Sequence, residues 1–262
     1  MSFSMTGLVD CNTSFDHFAD WLATPLGQDV ARQERGWYAR TAADLFGYKA
    51  VQLELPQLDA LATNRMSWRT IAGRSAGCTL HCAPEQLPFA NQSLDLLALP
   101  HVLDFCTDPH AVLREVERVL VPEGRLLVTG FNPWSLWGVR KWRNRDDAPW
   151  SGHFVALPRL KDWLKLLGME TVRSQFLCYG LPVQHERWIA RGHLFDNAGY
   201  RWWPAAGGIY CLDVVKRVRG MRVIGPAWRG KVVVPKAKPA TAIDQVALIE
   251  RLRQQAAKDR CK

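Results

Sequence analysis

Several features of common protein classes are missing from this 262-residue sequence. No run approaches the roughly 18–20 consecutive apolar residues of a membrane-spanning helix, and residues 1–16 lack a charged stretch followed by an apolar one, so we expect neither a membrane protein nor a secreted one. The seven cysteines are an odd number scattered from Cys11 to Cys261, which predicts free thiols in a reducing cytoplasm. The sequence also lacks a glycine-rich phosphate loop, a nucleophile-elbow serine and an HExxH zinc motif.

Cysteine and histidine come close together at Cys78, His81 and Cys82. A structural zinc site needs four ligands, and the sequence offers no second pair at a suitable spacing. On a strand the two cysteines would share one face and the histidine would point to the other. We therefore predict structural cysteines and no metal site.

Positive charge is in excess and is unevenly distributed. The net charge is +9, but residues 1–109 carry 7 basic and 12 acidic side chains, whereas residues 110–262 carry 27 basic and 13 acidic ones. Nine of the twelve tryptophans lie between Trp134 and Trp228. A basic, aromatic-rich half is suited to nucleic acid, an anionic lipid surface or an acidic small molecule, and it is equally consistent with a solvated face over a tryptophan-rich core.

Hydrophobic periodicity predicts one domain over residues 1–228, followed by a basic linker and C-terminal helix over residues 229–262. In the domain, Phe15, Phe18 and Trp21 recur at helical spacing and indicate a helical cap over residues 14–46, in which Pro25 starts the second helix. A core sheet over residues 47–220 follows the cap. Its predicted strands cover residues 49–55, 68–72, 78–82, 94–99, 125–129, 171–179 and 208–218, and further helices cover residues 158–167, 185–197 and 243–255.

The clearest unit is strand–helix–strand. Residues 94–99 and 125–129 are apolar runs typical of buried strands. Between them Asp108 is a helix N-cap residue with Pro109 at the first helical position, and Pro122 is expected to end the helix. Two buried strands joined by a helix with short connections form the repeating unit of a parallel α/β sheet.

The sequence around this unit resembles the second half of the core of class I S-adenosylmethionine (SAM)-dependent methyltransferases. The family's pattern is kept without gaps in five words: EQLPF at 85–89, SLDLL at 93–97, HVLDF at 101–105, DPH at 108–110 and RVLVPEGRL at 118–126. The longer words WLATPLG, FNPWSLWG, RLKDWLKLLG and RWWPAAGGIY resemble a bacterial subgroup of the same family, over most of residues 20–225.

This resemblance implies a Rossmann-like methyltransferase sheet of seven strands, mostly parallel with an antiparallel last strand, with an N-terminal helical cap. It also implies an enzyme that uses SAM as its cofactor and methylates a small-molecule or aromatic acceptor. The family's cofactor contacts correspond to Gln52, Glu54, Ala83, Pro84, Glu85, Pro100, His101 and Val102.

The resemblance breaks where the family holds SAM. The acidic-x-Gly-x-Gly turn after the first strand reads QLELP at residues 52–56, so Glu54 and Pro56 replace both glycines. No acidic residue in residues 66–75 clearly supplies the ribose contact, and Ala83 stands where an acidic residue meets the adenine amino group. Glycine matters at this turn because it lets the backbone approach the ligand. Glu54 would repel the cofactor's carboxylate and attract its ammonium and sulfonium groups.

His101 is the candidate catalytic residue because it directly follows the fourth strand. We expect His101 to act either as a base or as an orienting group. An imidazole with an ordinary pKa of about 6.5 is suited to deprotonating a phenol or enol, although methyl transfer needs mainly alignment and exclusion of water. The candidate acceptor-binding residues are Asn132, Trp134, Trp137 and Arg140, which follow the fifth strand. A hydrogen-bonded loop histidine and core tryptophans are the alternative interpretations of the same residues.

Two other functions stay open. A methyltransferase-like module without catalysis would bind nucleic acid or a protein partner through the basic half, and the altered glycine turn favours this alternative. An RNA methyltransferase would keep the enzyme and change the acceptor, and its RNA binding would weaken steeply with salt. The sequence does not predict the oligomeric state.

Overall fold

A single mixed sheet organises the chain, and the computed structural model describes residues 11–143, 149–180, 182, 206–218 and 249–255. The strands are β1 Lys49–Leu53, β2 Trp68–Gly73, β3 Leu80–His81, β4 Leu94–Pro100, β5 Leu120–Phe131, β6 Met169–Leu177 and β7 Ile209–Lys216. They lie in the order β3-β2-β1-β4-β5-β7-β6. Strands β1 to β5 pair in parallel, and β7 runs antiparallel to both β5 and β6. The predicted fold class, a mostly parallel seven-stranded sheet with an antiparallel last strand, is confirmed.

Helices pack against this sheet and cap one end of it. They are α1 Cys11–Leu22, α2 Pro25–Ala42, α3 Val102–Phe105, α4 Pro109–Val119, α5 Leu136–Arg143 and α6 Leu157–Leu166. The chain divides into a unit of residues 1–219, which contains the sheet, and a unit of residues 220–262, in which residues 249–255 are helical. The predicted helix at 185–197 and the domain boundary at 228 lie outside the described residues.

Helices α1 and α2 form the predicted N-terminal cap and meet at a tight corner. Thr24 caps α2 by accepting a hydrogen bond from the Gly27 N–H at 3.2 Å, and its hydroxyl donates to the Trp21 carbonyl at 2.7 Å. Phe15 and Phe18 of α1 are buried against Phe105, with ring centroids 5.7 and 4.8 Å away. Helix α1 therefore covers the end of the sheet where β4 runs into α3.

The crossover from β1 to β2 departs from the usual strand–helix–strand unit. Residues 54–67 contain a three-residue 3₁₀ helix, Pro56–Leu58, and no α-helix. Strand β1 also ends two residues earlier than predicted, because Glu54 and Leu55 adopt left-handed backbone angles, with φ of 57° and 49°. The end of β1 consequently lacks an α-helix N-terminus, which is the feature of α/β folds that favours bound anions.

Two other predicted boundaries were wrong. The helix before β5 ends at Val119 rather than near Pro122, because Leu120 is already extended and pairs with Leu94. The strand predicted over residues 78–82 is reduced to Leu80–His81, which pairs with the last two residues of β2. Among the described residues, no helix has both the length and the apolar character needed to cross a membrane.

The N-cap of α4 allows a direct test of this local structure. Asp108 Oδ1 accepts hydrogen bonds from the N–H groups of His110 at 2.9 Å and Ala111 at 3.0 Å. We expect Asp108→Ala to lower the free energy of unfolding by about 1 kcal/mol, and the Tm by roughly 2–4 °C. Thermal unfolding checks this, with Asp108→Asn as the control that keeps an acceptor oxygen; an unchanged Tm for Asp108→Ala would contradict the capping role.

Candidate functional site

His101 stands at the carboxyl end of β4, where ligands bind in open α/β sheets. Its backbone is left-handed, with φ of 52°, and its N–H donates to the Thr129 carbonyl of β5 at 3.0 Å. The sharp turn directs its side chain under the cap instead of along the strand. The predicted placement at the strand exit is thus observed, but the ring is fully buried.

Both ring nitrogens of His101 are hydrogen-bonded to buried carboxylates. Nδ1 lies 3.0 Å from Asp104 Oδ2, and Nε2 lies 2.8 Å from Glu34 Oε1 on α2. Asp104 Oδ2 also accepts a hydrogen bond from the Phe131 N–H at 2.9 Å. The histidine therefore joins α2, α3 and the end of β5 through one buried network.

The charge state of His101 follows from this arrangement. Burial alone would lower the pKa of the ring, but the Glu34 charge and the hydrogen bonds to Asp104 and Glu34 outweigh burial and raise the pKa to about 9. At neutral pH the ring is an imidazolium that donates to two carboxylates. In this conformation it has no free nitrogen with which to accept a proton.

Aromatic side chains enclose the network. The Phe131 and Phe18 rings lie 4.3 and 5.0 Å from the His101 ring, measured between centroids. Phe131 in turn stacks against Phe154 at 4.8 Å and Trp137 at 6.0 Å. The result is an apolar shell around three ionisable groups, at the carboxyl ends of β4 and β5.

Three buried polar atoms in this shell have no hydrogen-bond partner among the described residues. They are Glu34 Oε2, Asp104 Oδ1 and the hydroxyl oxygen of Tyr210. Burial, and then the charge of Asp104, raises the pKa of Tyr210 well above its ordinary value. A Cβ at Gly130 would collide with the Tyr210 hydroxyl, so glycine is required beside it. Unpaired buried polar atoms are uncommon and call for a partner.

Glu54 occupies the edge of the sheet between the ends of β1 and β2. Its Oε1 accepts a hydrogen bond from the Arg74 N–H at 2.7 Å, and its Oε2 accepts from the Ser75 N–H at 3.0 Å and the Ser75 hydroxyl at 2.6 Å. The side chain is fully buried and fills the space in front of Gly73, where a Cβ would clash with it. Both oxygens of the buried Glu54 carboxylate are thus hydrogen-bonded within the fold.

Gln52 shapes the turn that follows β1. Its Nε2 donates to the carbonyls of Glu54 and Leu55 at 3.0 and 2.8 Å, and its Oε1 accepts from the Ala60 N–H at 2.7 Å. All its hydrogen-bonding groups are used within the loop. Gln52 therefore stabilises the left-handed turn that follows β1.

The remaining predicted cofactor residues are dispersed around this edge. Ala83 forms an isolated bridge with Gln86, and Glu85 lies 3.4 Å from the Arg74 guanidinium. The side chains of the other three predicted positions, Pro84, Pro100 and Val102, are buried. Ala83, Pro84 and Glu85 follow β3, whereas Pro100 and Val102 lie at the carboxyl end of β4.

The predicted acceptor residues divide into two groups. Trp137 is buried in the aromatic shell, and Asn132 holds the loop by donating to the Gly207 carbonyl at 2.9 Å. Trp134 faces solvent, because the loop turns its ring outward. Arg140 bonds to the Pro182 carbonyl and lies over the Trp150 ring, so it packs beside the shell without entering it.

Sequence reasoning missed Glu34 and Tyr210. Glu34 lies on the buried face of α2, one helical turn from Val30 and from Tyr38. The sequence did contain a signal for Glu34, a carboxylate on the apolar stripe of α2. Charged side chains are almost never buried without a partner, so this position indicates a buried ion pair. Tyr210 gave no such signal, because a tyrosine in a strand is ordinary.

Comparisons with known proteins agree with the fold. A methyltransferase domain family model matches residues 35–128. The chain is 44% identical over 134 residues to the uncharacterised protein YafS of Escherichia coli, and the aligned region covers 50% of this chain and 51% of that protein. It is 29% identical over 150 residues to the ubiquinone/menaquinone biosynthesis C-methyltransferase UbiE of Rubrivivax gelatinosus, and this alignment covers 55% of this chain and 54% of that protein. It is 33% identical over 81 residues to the demethylmenaquinone methyltransferase of Chlamydia pneumoniae, covering 29% and 35%.

The chain therefore spans about half or less of the length of the curated relatives that it matches. Among solved structures, a SAM-dependent methyltransferase of Thermotoga maritima superposes with a TM-score of 0.56 at 16% identity, over 78% of this chain and 99% of that one. The geranyl diphosphate C-methyltransferase of Streptomyces coelicolor, solved with S-adenosylhomocysteine, superposes with a TM-score of 0.50 at 14% identity, over 71% and 80%. At these identities the structural likeness concerns the fold.

Proposed function

We propose that the chain is a class I SAM-dependent methyltransferase, as the family model over residues 35–128 and the shared fold support, and that it transfers a methyl group from SAM to a small-molecule acceptor with an apolar ring. The relatives named for quinone methylation support this acceptor class. A quinol has two flat apolar faces and hydroxyl donors at its rim. Such a molecule needs aromatic walls and a few buried acceptor atoms.

The observation that carries this proposal is the pair of unpaired carboxylate oxygens inside the aromatic shell. Glu34 Oε2 and Asp104 Oδ1 are fully buried acceptors at the ligand-binding edge of the fold. A quinol hydroxyl that donated to either would provide a partner that these oxygens lack among the described residues. Phe18 of α1 covers this shell, so the acceptor enters when α1 moves away.

Of the two roles expected from the sequence, base or orienting group, we assign the second to His101, as a positioning residue. A base needs a free lone pair, and both ring nitrogens face carboxylates. The imidazolium instead fixes one oxygen of Glu34 and one of Asp104, which leaves the other oxygen of each free to receive the acceptor. Methyl transfer from a sulfonium requires mainly such alignment, together with exclusion of water.

SAM, the methyl donor of this family, does not fit the ends of β1 and β2 in this conformation. The Glu54 carboxylate is bonded to the backbone that the cofactor would approach, and no α-helix begins in residues 54–67, which follow β1. The Arg74–Glu85 pair also joins the segments after β2 and β3. Binding of SAM therefore requires Glu54 to leave its present partners.

Label transfer tests the proposed function. Purified protein is incubated with SAM carrying a tritiated methyl group and with a short-chain demethylmenaquinol, and the organic phase is counted and analysed by mass. We expect an enzyme-dependent product that is heavier by one methylene, and a strong reduction in the Asp104→Asn variant. Absence of labelled product from the wild-type protein would count against a quinol acceptor.

A non-catalytic binding module is the second candidate. The observation that favours it is the buried, hydrogen-bonded Glu54 carboxylate at the end of β1. This candidate predicts no label transfer to any acceptor and no binding of S-adenosylhomocysteine. It predicts instead that an RNA oligonucleotide binds through the basic half, with an affinity that falls steeply as salt is raised. RNA binding without cofactor binding would select this alternative.

A further inference from the structure

The hydroxyl group of Tyr210 has no role in holding the fold together. Tyr210 lies in β7 with its side chain fully buried, and its hydroxyl oxygen has no hydrogen-bond partner in the part of the chain that the structure describes. Phenylalanine would fill the same space without burying an unpaired polar atom. Because a buried hydroxyl is normally hydrogen-bonded, this one indicates a function beyond packing.

The surroundings of this hydroxyl connect it to the proposed acceptor site. Tyr210 is paired with Gly130 of β5, and paired residues of antiparallel strands project to the same face of the sheet. A Cβ at Gly130 would lie 2.4 Å from the Tyr210 hydroxyl oxygen, so the glycine leaves room for the phenol to lie across β5. The next residue of β5 is Phe131, which belongs to the aromatic shell.

Asp104 provides an acceptor that complements this donor. Its Oδ2 lies 3.0 Å from His101 Nδ1 and accepts from the Phe131 N–H at 2.9 Å, whereas its Oδ1 has no partner among the described residues. The Asp104 charge acts on the Tyr210 hydroxyl, yet the two groups do not bond to each other. A group that completes both must accept one hydrogen bond and donate another, as a hydroxyl does.

We propose that Tyr210 is a specificity-determining residue, whose hydroxyl donates to an acceptor oxygen while the acceptor's own hydroxyl proton is donated to Asp104 Oδ1. This inference rests on the proposed function, because it places the acceptor at the same site. A hydroxyl oxygen on an aromatic ring keeps its lone pairs while it donates, whereas the nitrogen of a ring amine delocalises its one lone pair into the ring. The site therefore selects a hydroxylated ring over the equally shaped aminated ring, which would leave the Tyr210 hydroxyl unpaired.

Equilibrium dialysis of the full chain with 1-naphthol and with 1-naphthylamine tests this selection. The two probes have the same rings, both are uncharged near neutral pH, and both carry a hydrogen that Asp104 can accept. We expect the wild-type protein to bind 1-naphthol about tenfold or more tightly than 1-naphthylamine. Tyr210→Phe should bind the two probes within about twofold of each other, through weaker binding of 1-naphthol.

Tyr38→Phe is the matched control, because Tyr38 is also buried but its hydroxyl is paired. That hydroxyl lies 3.2 Å from Thr129 Oγ1. Tyr38→Phe should therefore lower the Tm, by roughly 2–4 °C, and keep the preference for 1-naphthol. Tyr210→Phe should do the opposite: its Tm should equal or exceed the wild-type value, since it removes an unpaired buried atom, and the preference should be lost.

Three results would overturn the role of Tyr210. They are a wild-type protein that binds neither probe or binds both equally, an unchanged preference in Tyr210→Phe, and a Tm of Tyr210→Phe as low as that of Tyr38→Phe. The last result would show that the hydroxyl is already paired in the free protein, for example by a buried water.

The inference and the proposed function can fail separately, because the binding of these probes requires no methyl transfer. Labelled product from the wild-type protein, together with an unchanged preference in Tyr210→Phe, would remove only the role of Tyr210. A preference that depends on Tyr210, without labelled product from any quinol, would remove only the reaction.

Discussion

Replacing Glu54 by glycine is expected to tighten the binding of S-adenosylhomocysteine about tenfold or more, which corresponds to about 1.4 kcal/mol. The wild-type carboxylate must give up three hydrogen bonds, to Arg74 and Ser75, before the cofactor can approach the end of β1. Hydrogen bonds to charged groups contribute roughly 1.5–3 kcal/mol each, and water recovers only part of that for the released side chain. Calorimetric titration of both proteins gives the two dissociation constants.

The same variant should be less stable without ligand. Glycine relieves the left-handed backbone at residue 54, a gain of about 1 kcal/mol. Against this, the donors of Arg74 and Ser75 lose a buried acceptor, which costs about 1–3 kcal/mol for each unsatisfied group. We therefore expect a lower Tm together with a higher affinity.

Asp59→Gly is the matched control for Glu54→Gly. Asp59 is also left-handed, with φ of 40°, and lies in the same crossover, but its side chain is exposed. Glycine there relieves backbone strain without opening the edge of the sheet, so the affinity for S-adenosylhomocysteine should stay at the wild-type value. Equal dissociation constants for wild type and Glu54→Gly would show that the carboxylate does not obstruct the cofactor.

The stability of the protein is expected to fall between pH 6.5 and pH 9. The folded pKa of His101 is about 9, above the ordinary value of 6.5 that the unfolded chain has. A raised pKa means that the folded state holds its proton more tightly, so this stabilisation is complete below pH 6.5 and is lost as the pH rises through 9. The loss is about 3 kcal/mol, or roughly 6–12 °C in Tm.

His101→Gln isolates this contribution, because glutamine does not titrate. Burial chiefly raises the pKa values of the Cys78 and Cys82 thiols to about 12 and 11. These thiols therefore also lower the stability toward alkaline pH. Their effect is the same in the wild type and in His101→Gln, so it cancels in the difference. The difference in Tm between wild type and variant should therefore shrink from pH 6.5 to pH 9. If His101→Gln does not fold, Glu34→Gln serves, since it removes the carboxylate charge that most raises the pKa. A difference independent of pH would contradict the imidazolium.

The central strand–helix–strand unit was predictable because each of its signals is local. Asp108 and Pro109 start α4 where the sequence indicates, and the apolar run from Leu94 becomes a buried strand. The seven-stranded, mostly parallel sheet with an antiparallel last strand followed from the resemblance of this unit to a known family, whereas the order of the strands comes from the structure. The altered turn at Glu54 was equally visible, since a missing glycine can be read directly from the sequence.

The contacts within the site were not predictable, because they join residues far apart in the chain. Glu34 meets His101 across 67 positions, and only the packing of α2 on the sheet brings them together. That packing is what changes His101 from a candidate base into a buried cation. Similarly, the direction of Trp134 depends on how Asn132 fixes the loop, through a bond to Gly207 75 positions away.

Titration of the wild-type protein with S-adenosylhomocysteine, by calorimetry and by thermal unfolding, tests most directly the proposal that this fold binds SAM. We expect saturable binding at one site per chain, with a Tm that rises as the ligand adds about 2.7 kcal/mol at 100 times its Kd. Tighter binding by Glu54→Gly should accompany it. No binding heat and no change in Tm, for the wild type and for Glu54→Gly alike, would contradict SAM-dependent methyl transfer by this protein.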